Sequence, residues 1–236
     1  MKIFAKIRFA YGALAIALPL ALIMIPGIWL FPKKKALIMH KVNSWILFFL
    51  GAKLVKSGER DPDANLFLFN HQGIIDIISI VAIENTNFRW VAKRELFKMP
   101  IYGWLLRLGD MIPVDRNNKA GLLKLLKDIK ESIEVKHRAV AIAPEGTRAK
   151  GQKLLPFKAG PNFVANKLGM RVQPIVITGG KWLLDEDNFT AHSSIVRLTY
   201  LPAFNANEAP KDWYEKVKTD MQAAIDDIYE KYGEER

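Results

Sequence analysis

From Phe9 to Pro32 no residue carries a charge. A bilayer's apolar core is about 30 Å thick and is crossed by a helix of about 20 residues, so this run is long enough to span one. A soluble core rarely needs so long an uncharged segment. Pro19 and Pro26-Gly27 interrupt the run, and each is expected to kink or end a helix in its interior. Lys2, Lys6 and Arg8 precede it, and Lys33-Lys34-Lys35 follow it. Cytoplasmic flanks carry the excess of Lys and Arg, so two positive ends favour one side of the membrane. Leu37 to Leu50 adds a second apolar run with Trp45, Phe48 and Phe49, broken by His40, Lys41, Asn43 and Ser44. Residues 1–57 are therefore expected to form a hydrophobic helical anchor, a pair of helices dipping into one leaflet. A single crossing helix is the other reading, since membrane helices tolerate proline. No small-x-small site comes before the lysines, which argues against a cleaved signal peptide.

After a polar turn at Gly58 to Asp63, short apolar runs alternate with longer segments of helical spacing. Asn65 to Phe69, Phe88 to Lys93, Met111 to Val114, Ala139 to Ala143, Val172 to Ile177 and Ile195 to Leu201 read as strands. Asn117 to Lys136 is the clearest helix: Leu122, Leu125, Leu126, Ile129 and Ile133 share one face, while lysines and acids take much of the other. Asp212 to Tyr232 is a terminal amphipathic helix. This order predicts an α/β fold over residues 58–236, a largely parallel or mixed central sheet flanked by helices.

The polar residues worth attention fall where strands end. Asn70-His71-Gln72-Gly73-Ile74-Ile75-Asp76 joins a strand to a helix. Within one continuous helix His71 and Asp76 would point about 140° apart, at about 100° per residue. They meet only if His71 lies in the turn and Asp76 folds back from the first helical turn. Asp76 would then accept the Nδ1 proton and leave Nε2 as a general base. The same two residues also suit a helix cap and a favourable charge at the helix's positive end. Lys93 stands at a strand exit, as a surface lysine or an anion ligand. Arg116 either pairs with Asp115 or reaches an anion. Pro144-Glu145-Gly146-Thr147-Arg148 follows another strand. Its glycine lets backbone approach a ligand, and its arginine either binds phosphate or pairs with the glutamate. In a parallel sheet all these ends converge on one edge.

Net charge is +11, with Lys and Arg spread along the chain, which favours an anionic partner such as a phosphorylated substrate, an acidic protein or an anionic membrane. No nucleic-acid-binding signature is present, and nucleic acid is not expected. The absence of cysteine excludes disulfides, a thiolate nucleophile and Cys-ligated zinc. The four histidines have no carboxylates at ligand spacing, so no metal is expected.

Taken in order, Asn70-His71-x4-Asp76, Gly109 through Asp115-Arg116, Pro144-Glu145-Gly146-Thr147-Arg148 and Val172-Gln173-Pro174-Ile175-Val176 resemble the motifs of the glycerolipid acyltransferase family. Lys93-Arg94-Glu95-Leu96 before Pro100 and Gly103-Trp104 is similar to its bacterial 1-acylglycerol-3-phosphate members. The resemblance covers roughly residues 60–200. It implies transfer of a fatty acyl group from acyl-CoA or acyl carrier protein to the sn-2 hydroxyl of lysophosphatidic acid, forming phosphatidic acid. It further implies His71 as general base, Asp76 as its partner, and no acyl-enzyme. Lys93, Arg116, Glu145, Gly146, Thr147 and Arg148 would form the glycerophosphate site. No cofactor is implied beyond the thioester co-substrate, and the partners are membrane lipids, lysophosphatidic acid and the acyl donor. The expected location is the inner (cytoplasmic) membrane, monotopic, with the site facing the cytoplasm.

Three positions depart from the commoner pattern: Gly73-Ile74 replaces Ser-Trp, Ala149 replaces a frequent serine, and Arg171 replaces a proline. The first and third bear on acyl-chain and acceptor preference. Three other functions fit the same residues: acyl transfer to a different lysolipid, a non-catalytic lipid-binding protein of the same fold, and a hydrolase in which water replaces the acceptor hydroxyl. Chain-length selection is expected in a groove between the sheet and the N-terminal helices.

Overall fold

A computed structural model of the protein describes residues 2–115 and 119–233. The chain begins with α1 (Lys2–Pro19), a π-helical turn (Leu20–Met24) and α2 (Ile25–Leu30), which together make one apolar helix from Ile3 to Leu30. Pro19 does not end it, contrary to the expectation from its missing N–H. The turn that follows is π-helical, with the Ile25 N–H donating to Leu20 O, and the helix runs on through both Pro19 and Pro26. The break comes instead at Phe31, which stands before Pro32 at φ −128° and ψ 65°. A 3-10 turn (Pro32–Lys34) reverses the chain into α3 (Lys35–Leu50).

The two arms run antiparallel. Arg8 Nη2 donates to Leu50 O at 2.9 Å and the Tyr11 hydroxyl to Phe49 O at 3.2 Å. Gly12 brings them close, since a Cβ there would lie 3.1 Å from Leu50 and 3.0 Å from Leu184. Only 11% of the most apolar window of Ile3–Leu30 is buried. Phe4, Leu22, Trp29, Trp45 and Phe48 are left exposed. One end of the helix is tied by Arg8 and Phe9. At the other end the chain turns back beside Lys35, which lies within electrostatic reach of Asp110 and Arg138. The hairpin thus lies along the domain with one bare apolar flank, an arrangement that fits a membrane-associated, monotopic protein.

Then come β1 (Ala52–Ser57), β2 (Leu66–Phe69), α4 (Ile74–Ile83), β3 (Arg89–Lys93), a 3-10 turn (Arg94–Lys98), α5 (Tyr102–Leu108), β4 (Ile112–Val114), α6 (Lys119–Glu134) and β5 (Val140–Ile142). The chain finishes with α7 (Ala159–Lys167), β6 (Arg171–Thr178), α8 (Gly180–Leu183), β7 (Leu184–Asp185), β8 (Thr190–Ala191), β9 (Ser194–Tyr200), β10 (Phe204–Asn205) and α9 (Trp213–Tyr232). The sheet order is β1-β9-β6-β2-β5-β3-β4, with β10 added to β6. From β6 to β4 every pairing is parallel, whereas β9 runs antiparallel to β6 and carries β1 parallel to itself. The sheet is therefore mixed, with a parallel centre. The boundary expected at residue 57 falls at the end of β1, so the sheet includes the last six residues of the expected anchor.

β2 is central, and all four of its residues are buried. Phe67 and Phe69 point to the face covered by α3 and α4, while Leu66 and Leu68 point to the face covered by α6, α7 and α9. A run apolar on both sides is what a doubly covered strand requires.

At the N-terminal edge of the sheet two arginines are buried. Arg138 donates to Asn87 O, Phe88 O, Gly109 O and Asp110 Oδ2. Arg89 donates to Asp110 O, Asp128 O and Asp110 Oδ1, and Lys136 to Asp110 Oδ2. Burial pushes the Asp110 carboxyl up, but the Lys136 hydrogen bond and the charges of Arg89, Lys136 and Arg138 outweigh it and hold the group below the usual range. Burial also draws Arg138 down to about 10, with Asp110 opposing.

Candidate active site

The opposite edge carries the sequence-predicted residues. Where β2 ends, the Asn70 side chain continues the ladder: its amide donates to Ile177 O at 2.8 Å and its carbonyl accepts the Ile177 N–H at 2.7 Å. This pins the turn that follows. The His71 N–H donates to Glu145 Oε1 at 3.1 Å, and His71 O accepts from Ala149 N–H at 2.7 Å. The Gln72 side chain donates to Gly151 O at 2.8 Å. The histidine's backbone is therefore laced to the turn after β5.

Asp76 folds back from the first turn of α4. Its Oδ2 lies 2.9 Å from His71 Nδ1 and accepts the N–H groups of Gln72 and Gly73 at 2.6 and 2.9 Å. Asp76 is 1% exposed and the His71 side chain 15%, so the carboxylate is sealed while the ring reaches the surface. Among the described residues no protein group bonds Nε2. A proton on Nδ1, facing the carboxylate, would leave Nε2 with a free lone pair. Gly180 makes this packing possible, because a Cβ there would stand 3.0 Å from Asp76 Oδ1. Phe69 lies against the imidazole edge-on, with ring centres 5.8 Å apart.

Glu145 is buried, with Oε1 on the His71 N–H and Oε2 on the Leu155 N–H at 2.8 Å. Burial raises its pKa above the ordinary carboxylate value, against those two hydrogen bonds. The structure thus gives Glu145 to the histidine's backbone and not to an open anion site. Gly146 adopts φ +74°, which favours glycine, and Thr147 is exposed in the same turn.

Arg148 does not pair with Glu145. Its Nη1 lies 3.0 Å from Glu186 Oε2, and that same oxygen accepts the Ile74 N–H at 3.1 Å. Tyr102 is close to both charges. Burial raises its phenol, Arg148 opposes this and Glu186 reinforces it. Lys93 is exposed at the end of β3 and pairs with Glu95 at 3.8 Å. Arg116 lies outside the described residues. No group of three or more His, Asp or Glu side chains able to hold a metal occurs among the described residues.

A cleft of about 690 Å³ opens on the α6–α7 face, lined by Val91, Val114, Ile142, Pro161 and Gly146. It lies across the sheet from the side where a chain-length groove was expected. Glu186, Tyr102 and Gly180 were missed in the sequence. Their signals were faint: an acidic Asp185-Glu186-Asp187 run in a basic chain, and the Gly179-Gly180 pair.

A family model described as Acyltransferase matches residues 39–178. The chain belongs to the acyltransferase family. The matched stretch of this acyltransferase holds His71, Asp76, Lys93, Glu145, Gly146, Thr147 and Arg148. A 1-acyl-sn-glycerol-3-phosphate acyltransferase of Helicobacter pylori is 35% identical, over 92% of this chain and 91% of that one. Proteins of the same name are 26% identical in Limnanthes douglasii, over 80% of this chain and 66% of that one, and 26% identical in Salmonella typhimurium, over 76% and 73%. The crystal structure of the 1-acyl-sn-glycerophosphate (LPA) acyltransferase from Thermotoga maritima superposes with a TM-score of 0.79 at 20% identity, covering 97% of this chain and 98% of that one. At that identity the likeness establishes a shared fold.

Proposed function

We propose that the protein transfers a fatty acyl group from a thioester, acyl-CoA or acyl carrier protein, to the sn-2 hydroxyl of lysophosphatidic acid, producing phosphatidic acid. The observation that carries this reading is the His71–Asp76 pair, joined at 2.9 Å with the carboxylate sealed and the ring reaching the surface. Asp76 fixes the imidazole with Nδ1 protonated. Nε2 takes the acceptor's hydroxyl proton as its oxygen attacks the thioester carbonyl. The C–O bond forms, the C–S bond breaks, and the imidazolium returns the proton to the departing thiolate. Base catalysis of this kind contributes about 10²- to 10⁴-fold in rate. The chain has no cysteine to carry an acyl group, which supports direct transfer.

Arg148 binds the acceptor's phosphate in this reading, with Gly146 and Thr147 in the same turn and with Lys93 and Arg116 contributing positive charge. Glu145 acts by holding the His71 backbone. The bare flank of the N-terminal hairpin lies in the cytoplasmic leaflet of the inner membrane, so lysolipid reaches the site without leaving the lipid surface. Net charge of +11 supports attraction to anionic lipid and to an acidic carrier protein.

The test is a purified-protein assay with labelled acyl-CoA or acyl carrier protein and a panel of lysolipids. Label should enter phosphatidic acid, and His71→Ala should slow its entry by about 10²- to 10⁴-fold. Thioester loss without phosphatidic acid would make the protein a hydrolase. Transfer to other lysolipids alone would change the acceptor, and wild-type inertness would leave a lipid-binding protein.

A further inference from the structure

Glu186 lies in the β7–β8 hairpin, beyond the stretch that the family model matches. Both of its partners belong to the site: Oε2 accepts the Ile74 N–H at 3.1 Å and lies 3.0 Å from Arg148 Nη1. Asp76 already takes the N–H groups of Gln72 and Gly73, so the Ile74 donor is left for an outside acceptor. Gly73 keeps the approach clear, because a Cβ there would stand 3.1 Å from the same Glu186 oxygen. The seat therefore combines a guanidinium with a backbone donor at the positive end of a helix of ten residues. One carboxylate oxygen bridging these two groups makes the contacts that a phosphate oxygen would make.

Among the described residues Glu186 has no other hydrogen bond or ion pair. Its side chain is 33% exposed. The hairpin around it is held by other residues: Asp185 Oδ1 accepts the N–H groups of Asp187 and Asn188, and Lys181 pairs with Asp185 and Asp187. The glutamate can leave its seat while the hairpin keeps its shape.

We infer that Glu186 occupies the acceptor's phosphate seat when the site is empty, and that the acceptor binds by displacing it. The inference rests on Arg148 being the phosphate ligand of the proposed function. Glu186 is then a specificity-determining residue. A phosphomonoester carries about −1.5 to −2 charge at neutral pH and offers three oxygens. It competes with a carboxylate for Arg148 far better than a phosphodiester headgroup with one negative charge. Glu186 thereby biases the site towards the monoester acceptor.

The experiment uses the full-length protein and two variants, Glu186→Gln and Arg148→Ala. Binding of inorganic phosphate is measured by thermal shift, and kcat and KM are measured with lysophosphatidic acid and with a phosphodiester lysolipid. Glu186→Gln should bind phosphate about fivefold more tightly, the equivalent of about 1 kcal/mol for one competing charge nearby in water. Its KM for lysophosphatidic acid should fall by a similar factor, and its preference over the diester acceptor should narrow. Arg148→Ala should lose the phosphate response. Unchanged phosphate binding in Glu186→Gln, or a higher KM with a lower kcat, would overturn the inference, the latter making Glu186 a support for Arg148. Failure of the wild type to acylate lysophosphatidic acid would instead count against the proposed function, and the phosphate measurement keeps the two failures apart.

Discussion

The two edges of the sheet hold carboxylates in opposite ways. At the C-terminal edge Asp76 and Glu145 are enclosed by main-chain N–H groups and one imidazole. At the N-terminal edge Asp110 is ringed by Arg89, Lys136 and Arg138. Backbone amides fix a carboxylate in place without cancelling its charge, which is what the proposed pairing of Asp76 with a positive imidazolium needs. Three cations leave Asp110 no such uncancelled charge, and its role is to join β3, the turn before β4 and the segment before β5.

The widest separation between the edges should appear in activity. His71→Ala should lower kcat by about 10²- to 10⁴-fold while thermal unfolding stays near wild type, because the ring is partly exposed. Loss of stability to match the loss of rate would dissolve the distinction. Arg138→Met should behave in the opposite manner. Its loss leaves the Asn87, Phe88 and Gly109 carbonyls without their buried donor, at about 1–3 kcal/mol for a group left unsatisfied, so the melting temperature should drop while activity per folded molecule is kept. A proportionate fall in kcat would mean that the two edges are coupled.

Arg148→Ala comes next. KM for lysophosphatidic acid should rise about tenfold, in line with loss of one charge-assisted contact of about 1.5–3 kcal/mol at a half-exposed residue, while acceptors lacking phosphate are little affected. Equal losses on both acceptor types would remove Arg148 from the headgroup.

The smallest effect is a contrast in sign. Asp110 is depressed in the folded protein, so its contribution is present above the ordinary carboxylate value and is lost as pH falls through its lower folded value. Glu145 is raised, so its contribution is greatest below the ordinary value and fades as pH rises through its higher folded value. Relative to wild type, Asp110→Asn should therefore lose stability as pH rises through the first window, and Glu145→Gln should gain it through the second. Melting curves across the acidic range check both slopes, and parallel slopes would contradict the assignment.

Legibility in the sequence followed the range of each interaction. His71 and Asp76 could be paired because one turn decides whether they meet. The strands of the parallel centre could be read because burial on both faces leaves continuous apolar runs such as Leu66–Phe69. The Arg148–Glu186 pair could not, since its partner comes from a hairpin of two-residue strands that periodicity does not reveal. The Glu-Arg pair that the turn itself offered does not form, because Glu145 turns inward to the His71 backbone. Pro19 misled because the helix continues through it, with a π turn directly after it. The buried Arg89 and Arg138 were hidden among many surface cations, and only their convergence on Asp110 gives them meaning.

The first helix does more than float the protein on lipid. Phe9 meets Phe189 edge-on at 5.4 Å, Arg8 donates to Ser193 at 2.8 Å, and Gly12 nestles against Leu184. The greasy arm is thus part of the wall behind the hairpin that carries Glu186. A fragment trimmed of its first thirty-odd residues for easier handling would lose that buttress and lay bare α3, so solubility cannot be engineered here by simple amputation.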